Sequence, residues 1–512
     1  MALPYVSRRL WAAEGGAPLP IPPLVETGSD PVTLEAIAGN SQFLSGAKTP
    51  TMGYSQPYLG PVLRMRRGSS PRMRVVNRLS EPVTAHWHGL HVPAVVDGGP
   101  KIEIAPGKTW QPDLPVDQPA ATLWYHSHVH NQTAEQVYHG LSGLIIVDDP
   151  DAPDPGLPKT YGVDDIAMVI QDRAFGSDGA LLYSKRRHDQ IHGFRAGTIL
   201  VNGAIRPTAS VPAGLVRLRL LNGSNARIYH LRFADDRTFH QVASDAGLLP
   251  KPVALTSVTL APAERIEIVA DFKDGQPVAL LSGPDRNGQM GGMMRGHSPA
   301  PPAPAGEGRE GEFKILGFAP DKQKPTAVTQ LPDTFPGAPK PDLGEPVRTR
   351  SLQLDMGGGR GMMGRGGRGG GRMGGGGMGG GRMGGGGMGG GGMRGPHRRG
   401  GPAAFLAING RSYSPDRVDL ELRRGETELW EVSASMMAHP FHVHGTAFQV
   451  LTSNGDKVPY ETTGLKDTFL VEGQAQILLR VDRPAAESIP FLYHCHILEH
   501  EDAGMMGQFT VI

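Results

Sequence analysis

Glycine and proline interrupt this chain too often for long helices to dominate it. There are 72 glycines and 46 prolines among the 512 residues. Glycine loses much conformational freedom when it is held in a helix, and proline removes a backbone hydrogen-bond donor. Frequent turn residues between short apolar segments are typical of sheet proteins. The sequence therefore predicts an all-β fold.

The length and the turn pattern of the chain predict three domains. A domain averages roughly 150 residues, and two proline-rich stretches, at residues 148–158 and 320–346, separate three series of short apolar segments. We place the domains at residues 1–155, 156–325 and 326–512 and expect each to be a β-sandwich. The predicted strands include residues 32–37, 63–65, 72–78, 84–87, 123–126, 143–147, 166–171, 198–202, 215–221, 253–260, 265–271 and 351–354.

A low-complexity segment interrupts the third domain at residues 356–401. Of its 46 residues, 28 are glycine, eight are methionine and eight are arginine, and none is acidic or aromatic. Such a segment has little apolar surface to offset the entropy that is lost when so many glycines are ordered. We therefore expect a mobile Met-rich loop.

The charge balance argues against nucleic acid as a partner. Lysine and arginine total 51, against 50 aspartates and glutamates, so the chain carries no strong field for a polyanion. The stretch GRGGRGGGR at residues 364–372 resembles an RGG nucleic-acid segment, but it lacks the aromatic residues on which bases stack. We predict no nucleic-acid partner.

The sequence also lacks a membrane-spanning pattern. No stretch approaches the roughly 18 consecutive apolar residues that a spanning helix needs. The first 13 residues contain Arg8 and Arg9 and no continuous apolar segment, so we expect that they do not form an intact secretory signal. The pattern predicts no association with a membrane, and either a cytoplasmic location or a signal that is not among these residues.

Ten of the 19 histidines fall in four short clusters near the two ends of the chain. A single His-X-His pair is more often an ordinary surface pair, but four clusters indicate metal, because histidine is the commonest metal ligand. Clusters near both ends can meet where a first and a third domain touch. They are HWH at residues 86–88, HSH at 126–128, HPFHVH at 439–444, and HCH at 494–496 with His500.

The single cysteine lies between two of these histidines. One cysteine excludes an intrachain disulfide and a four-cysteine zinc site. In an extended segment Cys495 points to one face while His494 and His496 point to the other, so one strand can serve metal on both sides. A thiolate with two imidazoles and a weak thioether is the ligand set of a blue-copper site, and Cys495, His500 and Met505 recur at intervals of five. The histidines on the other face suit a cluster of several coppers.

Four motifs carry a family resemblance. HWHGLH, WYHSHVH, HPFHVHG and HCHILEHEDAGMM, in this order, resemble the four copper-binding motifs of the multicopper oxidases. The resemblance implies three cupredoxin-like Greek-key domains over nearly the whole chain, four copper ions, O2 as electron acceptor and a monomer. The ending HEDAGMM and the Met-rich insertion are similar to the bacterial copper-efflux oxidases, which implies a laccase-like enzyme of the periplasm.

The resemblance also implies how twelve ligands divide among four copper ions, with each His-X-His pair split between two ions. A type 1 copper takes His439, Cys495 and His500, with Met505 as the axial ligand. The other three ions form a trinuclear cluster. They are a type 2 copper on His86 and His442, one type 3 copper on His88, His126 and His494, and another on His128, His444 and His496.

Two acids match residues that the family uses near its trinuclear cluster. Asp97 lies in the VDGGP stretch after the first motif, and Glu501 directly follows His500. Because the reduction of O2 to water consumes four protons, we interpret both as catalytic proton-relay groups. An alternative for Asp97 is that it only begins a turn before two glycines.

The methionines indicate the substrate. Thioether sulfur prefers Cu(I), and Met356 and Met437 align with Cu(I) ligands of the copper-efflux oxidases. Two acidic ligand positions of that site read Gly361 and Ser435 in this chain. The predicted function is the oxidation of cuprous ion and phenolic donors by O2, in copper tolerance. Two alternatives stay open: a general laccase for phenols, with the Met-rich loop a solvated insertion, or a non-catalytic copper-binding protein.

Overall fold

The described part of the chain is built almost entirely from short strands. The computed structural model describes residues 16–285, 287, 311–357 and 406–512. Within these ranges, 32 strands and five short helices are present, and the strands form six sheets. None of these helices has the length and apolar character needed to cross a membrane. The prediction of an all-β fold is confirmed.

Residues 24–148 form two four-stranded sheets around one core. The elements are β1 (Leu24–Glu26), β2 (Val32–Ser41), β3 (Thr49–Tyr54), β4 (Val62–Arg66), β5 (Met73–Asn77), α1 (Ala94–Asp97), β6 (Thr109–Trp110), β7 (Ala121–His126), α2 (Thr133–His139) and β8 (Ser142–Asp148). The strand orders are β1-β4-β8-β7 and β3-β2-β5-β6. In β2, Leu34 and Ala36 are buried and the intervening Glu35 is partly exposed, as the alternation of side chains along a strand requires.

Residues 165–321 form a second pair of sheets. The elements are β9 (Asp165–Arg173), α3 (Arg187–His192), β10 (Thr198–Val201), β11 (Ala204–Ile205), β12 (Thr208–Pro212), β13 (Leu215–Asn222), β14 (Tyr229–Phe233), β15 (Phe239–Ser244), β16 (Gly247–Leu255), β17 (Val258–Leu260), β18 (Arg265–Asp271), β19 (Val278–Gly283) and β20 (Phe313–Asp321). The orders are β11-β10-β9-β13-β18-β15-β16 and β12-β20-β19-β14-β17. Phe233, Phe239, Phe272 and Phe318 pack together in the core between them.

Residues 348–511 form the third pair, which carries the last two histidine motifs. The elements are β21 (Arg348–Met356), β22 (Leu406–Ile408), β23 (Leu420–Leu422), β24 (Thr427–Ala434), β25 (His439–Val443), β26 (Phe448–Ser453), β27 (Asp456–Lys457), α4 (Tyr460–Thr463), β28 (Leu465–Lys466), β29 (Thr468–Val471), β30 (Gln474–Arg480), β31 (Phe491–Cys495), α5 (Leu498–Asp502) and β32 (Met506–Val511). The orders are β22-β21-β24-β30-β26-β27, with β28 beside β26, and β23-β32-β31-β25-β29.

The strand predicted at residues 84–87 is wrong. In this stretch only His86 forms an isolated bridge, to His126, and Val83 just before it bridges Ile104. The chain turns here because the Trp87 N–H donates to the carbonyl of Asp97, at 3.1 Å, instead of to a neighbouring strand. The first histidine motif therefore lies in a loop, whereas the predicted strand at residues 265–271 coincides with β18.

The expected start of the Met-rich loop at Met356 is also wrong, because Met356 still belongs to a strand. Met356 is the last residue of β21, pairs with Leu406 of β22 and is only 4% exposed. The rest of the predicted loop, residues 358–401, lies outside the described residues, as do Gly361 and residues 1–15. The predicted mobility of the loop and the domain boundaries stay predictions.

Contacts between the sheet pairs bring the two ends of the chain together. Ala134 and Val137 on α2 pack against Leu498 on α5. The two backbone N–H groups of Thr133 and Ala134 both donate to the carboxylate of Asp502, at 3.0 Å each. The loop and helix that follow β7 are thus fixed to the loop and helix that follow β31, which places the first two histidine motifs beside the last two.

A buried charge network joins the first and second sheet pairs. The Arg219 guanidinium donates to both carboxylate oxygens of Asp165, at 2.7 and 2.9 Å, and also to Glu267 and to the Thr122 hydroxyl of β7. Burial alone would raise the pKa of Glu267, but Arg217 and Arg219 outweigh it and hold that pKa at about 2. This stabilisation is complete above the ordinary pKa of 4.5 and is lost as the pH falls from there towards 2.

We predict that Arg219→Met lowers the free energy of unfolding by about 3–5 kcal/mol at neutral pH, because buried Asp165 loses its arginine partner and buried Glu267 keeps only Arg217. Chemical denaturation measures the change. The matched control is Arg78→Met, which removes a pair with Glu35 whose side chains are 56% and 39% exposed and should cost less than about 1 kcal/mol. Equal losses for the two variants would contradict the prediction.

Candidate metal centre

Eight histidines from the four motifs meet in one buried cluster, the eight-histidine centre. Each of these eight histidines is at most 1% exposed. The shortest ring contacts cross from the first sheet pair to the third: the ring centroids of His88 and His442 are 3.7 Å apart, and those of His86 and His444 are 4.0 Å apart. The members are His86, His88, His126, His128, His442, His444, His494 and His496.

Four rings of this centre are oriented by a hydrogen bond at one nitrogen and have no hydrogen-bond partner at the other among the described residues. In four rings, one nitrogen bonds a protein oxygen and the second nitrogen is buried without a hydrogen-bond partner among the described residues. The bonded pairs are His86 Nδ1 with the Asp97 carbonyl (3.0 Å), His126 Nδ1 with the Ser127 carbonyl (2.8 Å), His442 Nδ1 with the Asp467 carbonyl (2.8 Å) and His88 Nε2 with Asp467 Oδ1 (3.0 Å). Buried unpaired nitrogens that point to a common centre are metal-ligand geometry.

Burial and neighbouring imidazoles lower the pKa of seven of these histidines below the ordinary value, and so favour the neutral form. A neutral imidazole has a lone pair for a metal ion, whereas a protonated one does not. The seven are His88, His126, His128, His442, His444, His494 and His496.

The ligand grouping predicted for His494 and His496 is reversed in the structure. His494 Nε2 lies 3.4 Å from His128 Nε2 and 3.2 Å from His444 Nε2, so these three rings converge. The His496 ring instead lies beside the rings of His88 and His126, with centroids 5.1 and 5.5 Å away. The reason is that β31 ends at Cys495: His496 has left the strand, and its N–H donates to the carbonyl of Pro440.

A second, smaller centre lies on the other side of β31; we name it the Cys495 centre. Cys495 Sγ is 3.3 Å from His439 Nδ1 and 3.5 Å from His500 Nδ1, and the two nitrogens are 3.2 Å apart. All three residues are fully buried. Burial lowers the pKa of His439 to about 4 and raises the pKa of the Cys495 thiol. A soft metal cation in this triangle would convert the thiol to a thiolate.

The methionines singled out in the sequence lie in the same buried core as Cys495. Met505, Met356 and Met437 belong to the same buried apolar cluster as Cys495. Met505 lies next to the cysteine through the backbone, since its carbonyl accepts the Cys495 N–H at 3.1 Å. Met356 and Met437 are 4% and 8% exposed, so both thioethers lie below the surface.

Comparison with known proteins agrees with this geometry. Residues 36–152 and residues 393–512 each match a family model described as multicopper oxidase. Multicopper oxidase mco of Staphylococcus haemolyticus is 31% identical over 517 residues, covering 98% of this chain and 94% of the relative. The cell division protein FtsP of Xenorhabdus nematophila is 32% identical over 496 residues, covering 96% and 92%.

A solved structure gives the same result. The laccase-like multi-copper oxidase CueO of Ochrobactrum sp., described as active towards lignin model compounds and lignosulfonate, superposes with a TM-score of 0.79. It is 36% identical and covers 97% of this chain and 100% of its own. The chain belongs to the multicopper oxidase family. Its fold is therefore the cupredoxin-like fold of that family, and the family implies copper as its cofactor and oxidase activity in general.

The two acids predicted as proton-relay groups lie against the eight-histidine centre. Asp97 Oδ2 accepts from His444 Nδ1 at 2.8 Å and is 3.2 Å from His86 Nδ1, and Asp97 Oδ1 has no hydrogen-bond partner among the described residues. Glu501 lies 3.3 Å from the Nδ1 atoms of both His128 and His494. Asp97 also ends α1 before Gly98, whose φ is 82°, so the turn interpretation and the relay interpretation are compatible.

Sequence reasoning missed a third acid, Asp467. Its carboxylate accepts from Arg265 Nη1 at 2.8 Å and contacts His88 Nε2 at 3.0 Å, and its carbonyl accepts from His442. Burial alone would raise the pKa of Asp467, but Arg265 outweighs it and holds that pKa well below the ordinary value. One available signal was the charged Lys466-Asp467 pair, which interrupts the otherwise uncharged stretch from Leu465 to Val471.

We predict that Asp467→Asn lowers the metal affinity of the eight-histidine centre about 10–100-fold, because His88 loses the carboxylate that orients it, while His442 keeps its bond to the backbone carbonyl of residue 467. The ratio of copper to protein after dialysis measures the loss. Copper held at the Cys495 centre, which Asp467 does not contact, should be retained. Asp482→Asn, at a side chain that is 57% exposed, is the matched control. Loss of copper from both centres alike would indicate unfolding and contradict the prediction.

Proposed function

We propose that this protein is a four-copper oxidase that takes single electrons from cuprous ion and phenolic donors at the Cys495 centre and reduces O2 at the eight-histidine centre. The observation that carries the proposal is the shared strand end. Cys495 belongs to one centre, and its covalent neighbours His494 and His496 belong to the other. The peptide bonds of three consecutive residues thus link the centre that would take electrons from the substrate to the centre that would pass them to O2.

The ligand chemistry supports a division of labour. His439, Cys495, His500 and Met505 would hold a type 1 copper, since two imidazoles, a thiolate and a thioether suit electron transfer. His86 and His442 would hold a type 2 copper. When bound, copper would supply one-electron transfer at the Cys495 centre and four-electron reduction of O2 to two waters at the other. With the grouping that the ring distances support, the two type 3 ligand sets would be His88, His126 and His496, and His128, His444 and His494.

Overall similarity does not choose between oxidase and non-oxidase functions. Relatives named for cell division and for copper oxidation match this chain almost equally, at 32% and 31% identity, and a fold can host several functions. The choice rests on the site, because a storage protein or a copper-free relative needs no triangle of Cys495, His439 and His500 beside eight converging imidazoles.

Asp97 and Glu501 would deliver the four protons that O2 reduction consumes. Asp97 Oδ1 is buried and unbonded among the described residues, so that atom is free to take a proton. Burial raises the pKa of Glu501 well above the ordinary value, which favours the protonated carboxyl, the form that can donate a proton. Both groups sit within hydrogen-bond reach of imidazoles of the centre.

Asp97→Asn should slow reoxidation of the reduced, copper-loaded protein by O2 about a hundredfold, because an amide cannot pass a proton on at neutral pH. Reduction of the Cys495 centre by a phenolic donor should stay at the wild-type rate. Stopped-flow absorption separates the two half-reactions. Unaltered reoxidation would remove Asp97 from the relay and leave it as a turn residue.

The proposed substrates and setting follow from the methionines. Met356 and Met437 lie in the same buried apolar core as Cys495, and soft thioethers favour Cu(I) over harder ions. We place the protein in the periplasm, as a monomer that protects against copper. The competing function is a general laccase that acts on phenols and for which the methionines have no role.

Oxygen uptake by the copper-loaded protein tests the proposal. Uptake should occur with Cu(I) and with 2,6-dimethoxyphenol, one O2 for every four electrons. Cys495→Ser should abolish the blue colour and reduce uptake with both donors at least about hundredfold. Deleting residues 358–401 should reduce uptake with Cu(I) alone; an equal rate with Cu(I) after deletion favours the general laccase. No uptake by the blue, fully loaded wild type would refute the oxidase.

A further inference from the structure

A second pair of histidines lies outside both centres, on the short helix α3 of the second sheet pair. His188 and His192 are one helical turn apart, and their ring centroids are 4.6 Å apart. The His188 side chain is 62% exposed, and His192 is partly exposed. Residues at positions i and i+4 face the same side of a helix. The two imidazoles can therefore hold one ion between them at the surface.

Helix α3 is attached directly to the Cys495 centre. Ile191, the residue before His192, accepts a hydrogen bond from His500 Nε2 through its carbonyl, at 2.9 Å. His500 is the ligand whose other nitrogen faces Cys495. The path from the surface pair to that ligand thus consists of one peptide unit and one hydrogen bond.

The end of α3 is held tightly in this position. Gly193 has a φ of 76°, and a Cβ there would lie 2.3 Å from Ala226 Cβ and 2.8 Å from Ile497 Cγ2. The next N–H, of Phe194, donates to Glu499 at 3.0 Å, and the Arg195 guanidinium donates to the carbonyls of His192 and Gly193. The helix end therefore cannot move away from the centre without breaking several buried contacts.

We propose that His188 and His192 form a docking site for the copper ion that serves as substrate. Two imidazoles bind copper in both oxidation states and prefer Cu(II) over other common divalent ions. Each docked Cu(I) would lose one electron, through the hydrogen bond from His500, to the Cys495 centre and remain as Cu(II). Four such events would supply the electrons that, with four protons, reduce one O2 to two waters. This inference rests on the proposed function.

His188 and His192 would also supply nitrogen ligands for the Cu(II) product. The buried thioethers of Met356 and Met437 offer soft ligands for Cu(I), but soft thioethers suit Cu(II) poorly. Cu(II), the product, needs nitrogen or oxygen ligands before it can leave. The surface imidazoles supply nitrogen ligands at the border between the centre and solvent.

Two measurements on the copper-loaded protein test the docking site. The first is equilibrium dialysis with Cu(II), which needs no turnover. The double variant His188→Gln with His192→Gln should bind one Cu(II) fewer than the wild type. The second is O2 uptake, where the double variant should show a KM for Cu(I) raised about tenfold with kcat retained, and unchanged kinetics with 2,6-dimethoxyphenol. The matched control is His240→Gln, in β15 of the same sheet pair, which should match the wild type in both measurements.

The outcomes distinguish failure of the docking site from failure of the proposed oxidase function. An equal Cu(II) count in the double variant and the wild type would overturn the docking site, and so would a KM for Cu(I) that does not change. A parallel loss with both donors would show a general disturbance of the Cys495 centre and also overturn it. If the wild type consumes no O2 with any donor, the oxidase fails, while the Cu(II) count still decides whether the pair binds metal.

Discussion

The end of strand β31 is the constraint on which the molecule depends. Consecutive side chains of a strand point to opposite faces, so Cys495 faces His439 and His500 while His494 faces the eight-histidine centre. A helix would not separate neighbouring residues in this way. The rest of the architecture serves to complete the two ligand sets on either side: the first sheet pair supplies four histidines to one side, and the second supplies α3 to the other.

Buried charges explain why three sheet pairs can meet around so polar an interior. Arg265 of the second pair bridges Asp467 of the third, and Asp467 in turn bonds His88 of the first. An unpaired buried charge would lower the free energy of unfolding by several kcal/mol. The ion pair and the hydrogen bond therefore hold the three sheet pairs in position relative to one another. The same contacts orient the imidazoles, and the interfaces between the sheet pairs are therefore part of the site.

Motif spacing predicted which residues are brought together, but not how they are grouped. The motifs identify the candidate metal ligands because their residue types are those that copper prefers. The reversal of His494 and His496 could not be read from spacing, since it depends on where β31 ends and on a hydrogen bond from His496 to Pro440. Asp467 was missed for a related reason. It lies in none of the four motifs, and only the folded chain places it beside His88.

The same distinction applies to the helices. Nothing in the glycine-rich composition predicts α3, which is six residues long, has no buried residue and owes its position to the groups around Gly193. Such a helix has too few residues to be stable alone. Its conformation is maintained by contacts with the Cys495 centre, so any ion held by its exposed face would be fixed relative to His500. A site of this kind is invisible to motif analysis because its two histidines become neighbours of the metal centre only through the tertiary fold.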